Sequence, residues 1–104
     1  MNSNINIFYT TCGSMRESRK LARSLLNIKD IVCVNIIKNV ESFYKDNGRT
    51  KKSFESILII KSLLNKKEVE DLIKNVHPYE IPFITQIQTE RVNVEYIKWA
   101  KKNL

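Results

Sequence analysis

The sequence predicts an α+β fold in the order β-α-β-β-α-β-α, and three observations carry that prediction. Periodicity switches repeatedly between strand-like alternation and helical spacing along the chain. Asn47-Gly48 joins two long runs rich in Val, Ile and Phe, which is a hairpin signal. The segment His77-Pro78-Tyr79-Glu80-Ile81-Pro82 holds both prolines and the single histidine, so it forms a stiff, extended joint between a helix and a strand.

The first strand is expected from Ile5 to Thr11, with Ile5, Ile7 and Tyr9 on one face and Asn6, Phe8 and Thr10 on the other. Cys12-Gly13 breaks it, and Ser14 with Glu17 forms a capping box that opens a helix. Leu21, Ala22, Leu25 and Leu26 make that helix's apolar stripe, with Ser18 on the same face. A second strand runs from Ile31 to Lys45, long enough to call for a bulge. After the Asn47-Gly48 turn a third strand returns through Phe54 and the unbroken apolar run Ile57 to Ile60, a run expected to be covered on both faces. Asn65 with Glu68 caps a second helix striped by Val69, Leu72, Ile73 and Val76. Phe83 to Gln88 reads as the fourth strand, and Asn93 as the cap of a last helix carrying Tyr96, Ile97, Trp99 and Ala100. The first six elements spell the ferredoxin-like split βαβ arrangement. A right-handed crossover then sets the first and second strands parallel with the third between them. The fourth pairs beside the first.

At 104 residues, the chain is read as one domain, residues 1–104. It contains no apolar run of about 18 residues, so no membrane-spanning helix is expected, and its start lacks the pattern of a signal peptide. A cytoplasmic protein is expected, with Cys12 and Cys33 as free thiols and Cys33 a buried small hydrophobe. The net charge of +7 comes from lysines spread along the whole chain, which reads as a solvated surface without a nucleic-acid or membrane partner. The strand order is also that of an RNA-recognition motif. The third strand, however, offers only Phe54 and no glycine where stacking aromatics would be needed. One histidine with no nucleophile placed beside it and no paired carboxylates argues against an enzyme.

The topology brings the end of the first strand to the His77 joint. Cys12, His77 and Glu80 meet there on paper, and thiolate, imidazole and carboxylate suit copper or zinc. The alternative is that Cys12 is a small loop residue and His77 bonds a backbone carbonyl. In either case the two long central strands project beyond a sheet of this size, and their edges and apolar residues call for burial in a symmetric oligomer.

Five short motifs in register resemble the CutA divalent-cation tolerance family. They are Cys33-Val34-Asn35-Ile36, Ser42-Phe43-Tyr44, the stretch from Glu55 to Lys61-Ser62, His77 to Pro82, and Tyr96 to Trp99. The resemblance implies a homotrimer whose long hairpins wrap neighbouring subunits, and an association with divalent metals, copper above all. Departures fall on the family's ligand positions: Tyr9 stands where some members have cysteine, Val76 where some have a second histidine, and Phe83 where most have glutamate.

The expectation is therefore a non-enzymatic, homotrimeric, CutA-like protein that binds Cu(II) or another divalent cation weakly, with no organic cofactor. His77, Glu80 and Cys12 are its expected ligands. The other reading is a PII-like trimeric sensor that takes a small anionic ligand at subunit clefts and meets a partner through the hairpin tip, where Lys45, Arg49, Lys51 and Lys52 lie.

Overall fold

The computed structural model describes residues 4–104. Its elements follow the expected order: β1 (Asn6–Cys12), α1 (Met15–Leu26), β2 (Ile31–Asp46), β3 (Arg49–Ser62), α2 (Lys66–Val76), β4 (Ile84–Ile87) and α3 (Val94–Lys102). The strands form one sheet in the order β2-β3-β1-β4, and every neighbouring pair is antiparallel. β1 and β2 both oppose β3, so they run parallel to each other, as the crossover rule requires.

Local chemistry sets the boundaries. Ser14 accepts a hydrogen bond from the Glu17 backbone N–H and starts α1. Asn65 and Glu68 satisfy one another's backbone N–H groups in a full capping box at α2. Asn93 precedes α3 but makes no side-chain cap bond, and its amide reaches Glu95 instead. The β2–β3 turn puts Asn47 at φ 52° and Gly48 at φ 78°, the pair of positive values that a type I′ turn needs. The expected bulge in β2 lies between Ile37 and Val40, where the register shifts and Asn39 takes φ 61°.

The core is the layer between the sheet and the two helices α1 and α2. Phe8, Leu58 and Ile60 of the sheet meet Leu21 and Leu25 of α1 and Val69 and Ile73 of α2. The inward face of β1 is therefore Phe8, Thr10 and Cys12. Ile7 and Tyr9, the apolar pair on the alternate face, lie half-buried on the side away from α1 and α2. Cys12 belongs to this core and is not a loop residue. Thr10 is tolerated inside because its hydroxyl donates to the Phe83 carbonyl at 2.7 Å. Cys33, expected inside, is only half-buried. The stripes of α1 and α2 each fray at one end, where Leu26 and Val76 are exposed.

Ile57 and Ile59, expected to be covered, are only half-buried on the face of the sheet away from α1 and α2. Beyond Ile37 the β2–β3 pair leaves the sheet as a two-stranded ribbon, which stretches the molecule to 47 Å against 26 and 23 Å in the other directions. Ile37, Phe43, Tyr44 and Phe54 are all exposed along it. At its tip Lys51 pairs with Asp46 and Lys52 with Glu41, both in contact with solvent and each worth about 0–1 kcal/mol.

Candidate functional site

The His77 joint begins as the C-cap of α2. Its backbone N–H closes on Ile73 O at 2.8 Å, and ψ of 136° turns the chain out of the helix. Pro78 enforces that exit. His77 is buried, with 8 % of the residue's surface exposed. Nε2 lies 2.7 Å from the Thr11 carbonyl, and Nδ1 accepts the Tyr79 backbone N–H at 3.0 Å. A carbonyl can only accept and an amide N–H can only donate, so this geometry selects the neutral Nε2–H tautomer. The ring thus ties the joint to the end of β1. This is the carbonyl-bonded arrangement that the sequence left open as an alternative.

Tyr79 lies beside that ring, 4.9 Å between centroids, and its hydroxyl donates to Glu55 Oε2 at 2.7 Å. Burial, with the Glu55 bond and charge next, raises the phenol pKa above its ordinary 10.0, so Tyr79 remains a donor at neutral pH. Gly13 makes room for it: a methyl group there would sit 3.2 Å from the Tyr79 hydroxyl oxygen.

The three expected metal ligands take different surroundings. His77 has both ring nitrogens engaged as described. The Cys12 side chain is fully buried in the core, and that burial raises its thiol pKa. Glu80 faces solvent. Among the described residues, no group of three or more His, Cys, Asp or Glu side chains is placed to hold a metal ion. The chain by itself therefore holds no preformed metal site among those residues.

On the face of the sheet away from α1 and α2, the joint and the middle of the ribbon line a cleft of about 650 Å³. Tyr9, Phe43, Tyr44, Tyr79 and Phe83 contribute aromatic rings to its lining, and Glu55 is its one charged residue. Tyr9 and Phe83 meet edge to face at 6.0 Å. The Glu55–Tyr79 pair was not foreseen from the sequence, because 24 residues separate its members. Strand register is the signal that finds it. Thr11 faces Ile57, so Glu55, two residues further on the same face of β3, lies just past the end of β1. That is where the joint had already been placed.

Comparison with known proteins agrees with this architecture. Residues 6–103 match the family model described as CutA1 divalent ion tolerance protein. The divalent-cation tolerance protein CutA of Thermococcus kodakarensis is 36% identical over 99 residues, which cover 94% of each chain. Its Archaeoglobus fulgidus counterpart is 35% identical over 100 residues, 95% of this chain and 97% of that one. The crystal structure of divalent ion tolerance protein CutA1 from Ehrlichia chaffeensis superposes with a TM-score of 0.84 at 28% identity, covering 95% of this chain and 94% of that one. The chain belongs to the CutA1 divalent ion tolerance protein family.

Proposed function

We propose that the protein works in divalent-cation tolerance as a homotrimer without catalytic activity, binding copper or a similar divalent ion weakly where protomers meet. The observation that carries this reading is the protruding β2–β3 ribbon with Ile37, Phe43, Tyr44 and Phe54 exposed, continuous with an open sheet face that carries Ile57 and Ile59. Apolar surface of this extent on a two-stranded ribbon is stable in water when sister chains cover it. His77, Glu80 and Cys12 remain the proposed ligands. Their surroundings set the expected strength. Coordination by His77 gives up one of its ring hydrogen bonds, and coordination by Cys12 opens the core. Donors from a second protomer would have to complete the shell. Weak binding follows, and it weakens further in mild acid because the ligands bind in their deprotonated forms.

Native mass spectrometry with and without Cu(II), on the wild type and His77→Ala, tests the reading. The expected result is a trimer that takes up copper at a stoichiometry set by the protomers and loses it in the variant. Equal uptake by both proteins removes His77 from the site, and an absence of uptake by the wild type removes direct metal binding.

A further inference from the structure

We infer that the outer face of α1 is a docking surface for the phosphate backbone of a double-stranded nucleic acid, held by Arg16, Arg19, Lys20 and Arg23. The inference goes beyond the metal reading and stands whether or not copper binds. α1 lies on the other side of the sheet from the face that sister chains are proposed to cover.

Spacing is the first ground. The four cations stand at i, i+3, i+4 and i+7, which sets them within about 100° of one another around the helix and about 10 Å along it. All four are exposed, on the face opposite the buried Ser18, Leu21, Ala22 and Leu25. Three of the chain's five arginines lie here, so the net charge of +7 is not an even coat of lysine. Arginine is the side chain whose planar fork meets a phosphate through two hydrogen bonds. The second ground is that this charge is left uncompensated. Among the described residues none of the four makes an ion pair, and Glu17, the one acid of α1, accepts the Ser14 hydroxyl at 3.3 Å. α2, packed beside α1, is built differently. Its Lys67–Asp71 and Glu70–Lys74 pairs close at 3.3 and 3.0 Å, so Glu70 and Asp71 neutralise lysines of their own helix. Like charges three and four residues apart destabilise a helix, and Arg16 in the first turn opposes the helix dipole. The row thus costs α1 stability, which a line of phosphates restores. The third ground is what the face lacks. That arc of α1 holds no aromatic or apolar side chain. A single strand needs rings to stack on, and a helix lying on a membrane needs an apolar face to insert, whereas α1 spends its apolar face on the core. A protein partner draws on apolar and aromatic anchors, since exposed ion pairs alone are worth little. A duplex backbone asks only for a row of cations and gains from the counterions it releases.

Fluorescence anisotropy of a short labelled DNA duplex, titrated with the full-length protein at several salt concentrations, tests the assignment. The expected Kd is roughly 10⁻⁴–10⁻⁶ M near physiological salt, with affinity falling about 40- to 150-fold between about 50 and 200 mM salt, as three to four phosphate contacts require. A variant combining Arg16→Gln, Arg19→Gln, Lys20→Gln and Arg23→Gln should flatten the slope of log K against log salt by about 3–4. Its thermal midpoint should equal or exceed that of the wild type, because only exposed like charges are removed. Arg19→Gln alone should flatten the slope by about one, whatever the duplex sequence. A matched variant combining Arg91→Gln, Lys98→Gln, Lys101→Gln and Lys102→Gln loses the same charge from exposed positions outside α1 and should keep the wild-type slope. Polyglutamate and phosphatidylserine-containing vesicles should bind more weakly than the duplex. No duplex binding at low salt, undiminished binding by the α1 variant, or an equal loss in the matched variant would each overturn the inference. Tighter binding of polyglutamate or of the vesicles would overturn it too, in favour of an acidic protein or a membrane surface.

Discussion

Replacing Tyr79 with phenylalanine removes one oxygen atom and tests how the joint is held. That atom donates to Glu55 Oε2 at 2.7 Å, a charge-assisted hydrogen bond. Bonds of this kind contribute about 1.5–3 kcal/mol when the charged partner is buried. Glu55 is only half-buried and opens onto the cleft, so water can replace part of what is lost. The variant should therefore lose about 1–2 kcal/mol, at or just below the bottom of that range. In urea this corresponds to a midpoint lower by roughly 0.5–1 M, taking the slope of a chain this size as about 2 kcal/mol per M. Trp99 fluorescence reports the transition, and protein concentration must be held constant because any self-association would shift apparent stability. The same residue sets an alkaline signature. Its phenol pKa is raised in the folded state, mainly by burial and then by the Glu55 bond, so the folded protein keeps the proton that the unfolded chain releases. The stability tied to this proton is complete below the ordinary tyrosine value of 10.0 and drains away as pH climbs beyond it. Wild-type stability should fall between pH 9.5 and 11 more steeply than that of Tyr79→Phe, roughly the range over which an unperturbed phenol titrates. An unchanged midpoint at neutral pH, or equal alkaline slopes in the two proteins, would refute the assigned role of the pair.

Other substitutions probe the scaffold. Leu58→Ala empties a fully buried position between sheet and helices and should cost about 2–5 kcal/mol, seen as a drop in the thermal midpoint. Asn65→Ala breaks the reciprocal capping box of α2 and should cost about 1 kcal/mol by the same assay. Gly48→Ala meets no neighbouring atom within 4 Å but must hold φ +78°, so it should lose about 1 kcal/mol through backbone strain alone. In native protein an aromatic disulfide reagent should modify half-buried Cys33 well before Cys12, whose thiol is enclosed and has a raised pKa. Equal rates would place Cys12 outside the core.

The element order was legible because the punctuation is local and strong. Asn47-Gly48, the Asn65–Glu68 pair and the two prolines each act over a few residues, and the crossover rule converts their order into sheet order. Face assignment in β1 was harder. Ile7 and Tyr9 make one face look apolar, while Thr10 makes the true core face look polar. Only the Phe83 carbonyl, 73 residues away, explains why Thr10 can lie inside. Asn93 has the residue type of a cap but makes no such bond, which shows that type alone does not guarantee geometry. The surroundings of the proposed ligands were readable in outline only. The sequence brought Cys12 and His77 to one end of the sheet, but it could not say that Cys12 turns into the core or that both His77 nitrogens meet backbone groups. Glu55 stayed hidden as a site residue because its role depends on register between strands and leaves no local pattern.

Size-exclusion chromatography with light scattering, carried out at micromolar protomer concentration, tests most directly the idea that sister chains cover the ribbon and the open sheet face. The predicted result is a single species with the mass of three protomers. It should dissociate when Phe43 and Phe54, both exposed on the free ribbon, are replaced by aspartate. A stable, folded single protomer at that concentration would contradict the account.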